Sequence, residues 1–280
     1  MTQNTNPLAD FYRNPKIYVA LPSGTDYYSA EVVEMPEVGE LPVYPMTAKD
    51  DLLTKNPDAL LNGDAVIRLV KSCVPAVKKP AELLAPDMEA LLIAIRKASS
   101  GEELMDVTRN CPECDAENKF DLDLSIVLAN AQEIEAVKEV TLSNGLIASI
   151  SPTNYIHTVQ SAKTVIEQNR NFQNIDPKQS DEQLKALGEA LEKLSTMNYQ
   201  VILESINSIT IPNGATVTDS VQISEFLENV EKEIGIELND AVSDINNGGV
   251  EKELDMQCSE CENVYKTTIN FDPVGFFLNS

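Results

Sequence analysis

Two Cys-x-x-Cys motifs constrain the fold of this chain more than any other feature of its sequence. The first, at residues 111–114, reads Cys-Pro-Glu-Cys, and the second, at residues 258–261, reads Cys-Ser-Glu-Cys. A short strand pattern precedes each motif and an alternating strand pattern follows it. Each motif is therefore predicted to form the tight turn of a β-hairpin.

Two such turns carry the ligand set of a zinc ribbon. Two residues between the cysteines let one turn present both sulfurs to one ion, and two turns complete a closed tetrahedron. We predict that Cys111, Cys114, Cys258 and Cys261 bind one zinc ion, and that this ion is structural because no position remains for water or substrate. The alternatives are unmetallated or redox-active thiol pairs, and two separate metal sites.

The long segment between the motifs does not prevent a shared site. It contains 143 residues, from Asp115 to Gln257. Closing a loop of this length costs about 4 to 5 kcal/mol, because the cost grows only with the logarithm of the length. Structural zinc supplies roughly 10 to 16 kcal/mol in favourable cases. One ion can therefore join the two motifs, particularly if the segment between them folds independently.

The fifth cysteine and the one histidine are predicted to lie outside any site. Cys73 falls on the apolar face of a helix that follows an Asn56-Pro57 start signal, so we expect it to be buried. His157 lies near the start of another helix and is expected to be packed or exposed rather than catalytic. The sequence contains no phosphate-binding loop, H-E-x-x-H or G-x-S-x-G motif. We therefore predict that the protein is not an enzyme.

The hydrophobic periodicity predicts an α+β fold that is predominantly helical, with short N-terminal strands. Strands are expected at residues 16–21 and 31–34, and helices from Thr47 onward. The helix at about 87–98 is apolar almost all round, so it should lie at the centre of the fold. An Asn-Gly pair between alternating apolar residues predicts a hairpin at residues 140–150.

Three regions follow from this pattern. Residues 1–103 form an N-terminal strand and helix region, residues 104–151 plus 249–280 form a split zinc ribbon, and residues 152–248 form a helical insertion. Within the insertion, helices are predicted at residues 155–172, 180–209 and 221–245. Their apolar stripes are typical of a bundle core, because most helix stability comes from burying such a face.

The charge balance excludes several classes of function. The chain carries 21 Lys and Arg against 45 Asp and Glu, a formal net charge of −24. A surface this acidic repels phosphate and anionic lipid. We therefore expect no nucleic-acid or membrane partner. We find no export signal and no apolar run near the roughly 20 residues that span a bilayer, so an intracellular location is expected. A basic protein partner remains compatible with the charge.

Several sequence words resemble one family of phage proteins. Residues 45–50 read Pro-Met-Thr-Ala-Lys-Asp, and residues 56–63 read Asn-Pro-Asp-Ala-Leu-Leu-Asn-Gly. Together with residues 19–24, 70–75 and 92–96 and the first cysteine motif, they resemble the baseplate hub subunit family of T-even-type contractile-tailed bacteriophages. The resemblance covers about residues 16 to 150, and no short segment of the central helices could be matched to the family.

The resemblance implies a role in assembling the phage tail. Members of the family are regarded as baseplate hub components or as hub-assembly chaperones. We expect a non-enzymatic chaperone that acts on a hub or tape-measure protein in the host cytoplasm. The alternatives are a structural hub subunit retained in the virion and a zinc-ribbon adaptor that binds another protein, such as a polymerase.

Overall fold

Short strands and helices alternate along the chain, which is a mixed α/β protein. The computed structural model describes residues 8, 11–100, 104–160, 180–212, 214–269 and 276–277. The strands are β1 Ile17–Val19, β2 Leu41–Val43, β3 Leu104–Asn110, β4 Glu117–Asp123, β5 Lys138–Thr141, β6 Ile147–Ile150, β7 Ile206–Thr210, β8 Thr216–Val217, β9 Glu253–Gln257 and β10 Val264–Thr268. The helices are α1 Ala48–Thr54, α2 Pro57–Leu61, α3 Asp64–Cys73, α4 Ala85–Ser99, α5 Leu124–Ala129, α6 over residues 155–160, α7 Ser180–Ser205, α8 Ser220–Asn229 and α9 Lys232–Asn246.

The first two helices begin at the predicted residues. Thr47 caps α1 in a capping box with Asp50, in which each side chain accepts the other residue's backbone N–H. The Asn56 side chain accepts the Ala59 N–H at the start of α2, and Pro57 occupies the first helical position. These caps satisfy donors that a helix start otherwise leaves unpaired, which is why short helices form at these positions.

The N-terminal strands differ in part from the prediction. β1 forms as expected and pairs antiparallel with β2. Residues 31–34 form no strand, because the N–H groups of Val32 and Val33 both bond to the Ser29 carbonyl in a turn. Val33 is left with a single antiparallel bridge to Val77.

Helix α4 lies at the centre of the first hydrophobic core, as its sequence predicts. Its side chains are buried on every side of the helix, among them Met88, Leu91, Leu92, Ile93, Ala94 and Ile95. Side chains from β1, β2, α3 and the hairpins β3–β4 and β9–β10 pack around it. Although α4 is so apolar, the described part of the chain contains no helix with the length and hydropathy needed to cross a membrane.

A second hydrophobic core is built on a four-stranded antiparallel sheet. The strand order is β5-β6-β7-β8, and the predicted Asn-Gly turn joins β5 to β6. Gly145 has a φ of +84°, a left-handed conformation that glycine adopts without steric cost. Buried side chains of α8 and α9, including Ile223, Leu238 and Val242, join Ile150 of the sheet in this core.

The segment predicted as a helical insertion therefore contains strands. α7 ends at Ser205 and the chain continues directly into β7, whereas the periodicity predicted helix to residue 209. The residues from Ile206 to Thr210 alternate apolar and polar, a pattern that suits a strand beside β6. β6 lies before residue 152, β7 lies after it, and the two strands pair. The sheet therefore spans the predicted boundary between the ribbon and the insertion.

Two further differences concern the helices of this segment. The predicted helix at 221–245 is two helices, since Val230 and Glu231 have extended backbone angles between α8 and α9. The apolar stripe continues across this break, so periodicity alone could not reveal it. The predicted helix at 155–172 does start at Tyr155, but its residues beyond 160 lie outside the described part of the chain.

The cap of α1 also gives a pH-dependent contribution to stability. Burial of Asp50 alone would raise its pKa, but hydrogen bonds from Thr47 and Ser72 and the charge of Arg13 outweigh it and lower the pKa. A lowered pKa means that Asp50 stabilises the fold above its unfolded pKa of about 3.9 and loses this contribution as pH falls through the folded value. We expect Asp50→Asn to cost roughly 1 to 3 kcal/mol at pH 7, measured by urea unfolding.

Asp51→Asn is the matched control for this experiment. Asp51 is half-exposed, and its carboxylate pairs with Lys55 one turn on, an arrangement that contributes little. The two variants should therefore differ at pH 7 and converge as the pH falls through the lowered pKa of Asp50. Equal stability at pH 7 would show that the Asp50 network contributes nothing beyond an ordinary surface charge.

Candidate metal centre

The four cysteines of the two motifs meet at the tips of two β-hairpins. β3 pairs with β4 and β9 pairs with β10, and each pair is connected by one Cys-x-x-Cys turn. All four sulfurs lie within 4.8 Å of one another. Across the two hairpins, the Sγ of Cys111 lies 3.7 Å from that of Cys261, and the Sγ of Cys114 lies 3.6 Å from that of Cys258.

The two turns, which we call the first and second knuckle, have the same backbone geometry. In each, the N–H two residues after the first cysteine points at that cysteine's sulfur, with N···S distances of 3.4 Å from Glu113 to Cys111 and from Glu260 to Cys258. The residue after the second cysteine has a φ of 58° in both, although Asp115 and Glu262 are not glycine. Asp and Glu rarely adopt this left-handed region, so its repetition marks two copies of one built turn.

The residues fit a four-coordinate metal ion. Tetrahedral ligands at the usual Zn–S distance of about 2.3 Å are separated by about 3.8 Å, close to the shortest distances between the hairpins. Four cysteines in a tetrahedral arrangement are the donor set of zinc and of iron–sulfur centres. Cys111 and Cys258 are each only 2% exposed, so half of the donor set is shielded from water.

The electrostatics of the cluster favour a cation at its centre. Backbone N–H groups of Cys261 and Glu260 lower the pKa of Cys258 to about 6. For Cys261, the N–H of Asn263 favours the thiolate, but hydrogen bonds with the other thiols and burial outweigh it and raise the pKa to about 12. When one cysteine forms a thiolate, the pKa of the neighbouring thiols therefore rises. A bound metal ion would offset this repulsion and allow all four cysteines to be charged together.

Asn118 connects the two knuckles. Its amide Nδ2 donates to the carbonyl of Ala116 at 2.9 Å and to the Cys258 sulfur at 3.5 Å. Its Oδ1 accepts from the backbone N–H of Ser259 at 2.8 Å and from the Ser259 hydroxyl at 3.0 Å. The sequence motifs did not identify this residue. The available signal was a polar side chain at an inward-facing position of β4, in line with buried Leu122.

Both hairpins are anchored on the first core. Met105 and Val107 of β3 and Leu122 of β4 belong to that core. Leu254 of β9 packs against it, and Ile269 enters it directly after β10. The two knuckles therefore stand on one support, which brings together motifs that are far apart in the sequence.

Cys73 and His157, the other two residues considered in the sequence, lie away from the cluster. Cys73 is fully buried in the first core, and this burial raises the pKa of its thiol to about 11. The Nδ1 of His157 lies 2.7 Å from the Oε2 of Glu204, so a polar contact that the sequence did not reveal links α6 to α7. Cys73 is thus a core thiol, as predicted.

Comparison with known proteins extends the resemblance seen in the sequence. A protein-family model described as T4 bacteriophage base plate protein matches residues 27–278. The match includes both cysteine motifs and the central helices, where individual sequence words showed no likeness. No curated protein and no solved structure matches the chain significantly. Because the family model spans most of the chain, the protein belongs to the T4 bacteriophage base plate protein family.

Proposed function

We propose that the chain is a non-enzymatic tail-assembly protein that acts as a chaperone for a baseplate hub or tape-measure protein. The observation that carries this proposal is the family match over residues 27–278. A baseplate family implies contact with other baseplate components, and a tail protein must be kept from associating before its place in the particle is ready. The proposed location is the host cytoplasm during assembly.

We also propose that one structural zinc ion is held by the four cysteines. With four thiolates bound, the ion supplies a cross-link and charge neutralisation, and it has no position for a reacting molecule. Its role would be to fix the two hairpins against each other at the surface of the first core. Structural zinc of this kind contributes directly to folding free energy.

The surface of α8 and α9 supports binding of a basic helical client. Exposed carboxylates cover both helices, at Glu225, Glu228, Glu231, Glu233, Asp240 and Asp244, and Lys232 is their only basic residue. Val221 is 72% exposed at the start of α8, and Ile236 is 47% exposed on α9. Exposed apolar side chains within an acidic surface suit an amphipathic helix with a basic face.

A retained structural subunit is the second candidate function. The family description itself favours it, because it names a base plate protein rather than an assembly factor. The two functions differ in a property that can be counted. A structural subunit is present in purified virions at an integral number of copies, whereas a chaperone is absent from them although abundant in infected cells.

Co-expression with the candidate hub and tape-measure proteins tests the proposal. We expect pull-down of this chain to recover one of them as a stable complex, and mass spectrometry of purified virions to find this chain missing. Val221→Asp should weaken recovery of the client about tenfold or more, since it places a charge in the proposed apolar contact. Val38→Asp is the matched control, because Val38 is 76% exposed and lies outside this surface.

Three results would contradict the chaperone proposal. A well-folded chain that recovers neither protein has no such client. A chain found at integral stoichiometry in virions is a structural subunit. Recovery of RNA polymerase in place of tail proteins would identify a transcription adaptor.

A further inference from the structure

We infer that Asn118 is a positioning residue that holds the second knuckle in register with the first, so that the four sulfurs form one site for a metal ion. The inference rests on the proposed metal site and adds a residue that is not itself a ligand. Asn118 is 3% exposed, which is unusual for an amide side chain and indicates that its hydrogen bonds are fully committed inside the protein.

The contacts of Asn118 join backbone groups of both knuckles. Ala116, whose carbonyl accepts from Asn118, also accepts the N–H of Cys111 at 2.9 Å, so this carbonyl is part of the first knuckle. Ser259, whose N–H reaches Asn118, lies between the cysteines of the second knuckle. A backbone N–H can only donate, so it fixes the amide orientation: Oδ1 faces Ser259 and Nδ2 faces the sulfur of Cys258.

The two hairpins are pseudo-symmetric, but only the first hairpin supplies a side chain that bonds to the other knuckle in this way. Asn118 is the fourth residue after the second cysteine of its motif, and its equivalent in the other hairpin is Tyr265. The residue equivalent to Ser259 is Pro112, which has no N–H to donate. The Tyr265 hydroxyl is buried beside the Asn118 side chain. The register of the two knuckles therefore depends on Asn118 in a way that no symmetric partner can replace.

The chemistry of an amide suits this position better than that of the alternatives. Aspartate has nearly the same shape but cannot donate to the Cys258 thiolate or to the Ala116 carbonyl, and it adds a negative charge beside four sulfurs. Alanine leaves the Ser259 N–H and the Ala116 carbonyl short of a partner. Residues that orient metal ligands through hydrogen bonds typically change metal affinity 10- to 100-fold when replaced.

The first experiment measures zinc affinity of the full-length chain by competition with a chromophoric chelator under reducing conditions. Asn118→Asp and Asn118→Ala are each expected to weaken zinc binding about 10- to 100-fold. Cobalt substitution should still give the visible spectrum of four thiolate ligands, because no ligand is removed. Asn130→Asp is the matched control, since Asn130 is exposed at the end of α5 and lies outside both knuckles.

A second variant acts on the other end of the link. Ser259→Pro makes the second knuckle read Cys-Pro-Glu-Cys, the sequence that already forms the first knuckle. It should therefore preserve the turn while removing the N–H and hydroxyl that reach Asn118. We expect a loss of affinity no larger than that of Asn118→Ala, which also removes the bond to the Cys258 sulfur. Combining the two should add little further loss, because Asn118→Ala already removes the link to Ser259.

The outcomes separate failure of this inference from failure of the proposed metal site. If the wild-type chain binds neither zinc nor cobalt, the metal site is wrong and the role of Asn118 falls with it. If the wild type binds zinc and the Asn118 and Ser259 variants bind it equally well, the site stands and the inference is overturned. Additive losses in the double variant would also overturn it, since they would show two independent effects.

Discussion

Replacing Cys258 by serine should abolish stoichiometric zinc binding by this chain. The variant retains three thiols of the cluster and places a neutral hydroxyl where a buried thiolate is required. Serine is not ionised near neutral pH, so it neither completes the tetrahedron nor balances the charge of the ion. Elemental analysis after dialysis in reducing buffer should give one zinc per wild-type chain and close to none per variant chain.

Loss of the ion should also destabilise both hairpins. A two-stranded hairpin is marginally stable by itself, and each of these carries exposed positions on alternate residues. Zinc that is free at 1,000 times its dissociation constant stabilises the bound fold by about 4 kcal/mol. A chelator should therefore lower the melting temperature of the wild type and leave that of Cys258→Ser unchanged. Amide exchange should accelerate in residues 104–123 and 253–268.

Cys73→Ala distinguishes loss of a ligand from loss of a cysteine. Cys73 is buried in the first core, so its truncation removes some packing but leaves the four clustered sulfurs intact. This variant should keep one zinc per chain and respond to the chelator like the wild type. A wild-type chain that stays well below one zinc per chain with added zinc would show that the site is not metallated. Full zinc content in Cys258→Ser would show that the ion lies elsewhere.

The parts of the fold that the sequence predicted are those set by local chemistry. The caps at Thr47 and Asn56 satisfy backbone donors within a few residues, and the Asn-Gly turn fixes its hairpin through the conformation of Gly145. The cysteine spacing acts in the same way, because two intervening residues define the turn that presents both sulfurs. The clustering of all four sulfurs also followed, since no other arrangement uses both motifs in one closed site.

The parts that the sequence did not predict depend on partners distant in the chain. Asn118 acquires its role from Ser259, which lies 141 residues away in the sequence. Apart from the two cysteines, no motif around Ser259 indicates this partnership. The sequence of β7 is equally compatible with a last turn of α7, but these residues form a strand because they pair with β6. The break at Val230 interrupts neither the apolar stripe nor the run of helix-forming residues. For β7, a tertiary contact overrides the local preference for helix.

Leu91→Ala should strongly destabilise the first hydrophobic core. Leu91 is fully buried at the centre of α4, where its side chain is surrounded by the first core. Removing three carbons from such a site loses transfer free energy and leaves a cavity, at a cost of about 2 to 5 kcal/mol. Alanine is the best helix former, so the loss reports packing rather than helix propensity. Urea unfolding gives the size of the effect.

Leu52→Ala is its control, because the same change at a residue 69% exposed on α1 should cost less than about 0.5 kcal/mol. Leu238→Ala makes the equivalent cavity in the second core, where Leu238 is also fully buried. Since the two clusters are built from separate side chains, amide exchange should accelerate around α4 in one variant and around α9 in the other. Equal acceleration of amide exchange in both helices in both variants would show instead that the two cores unfold as one unit. The four-stranded sheet would then transmit the loss of packing from one core to the other.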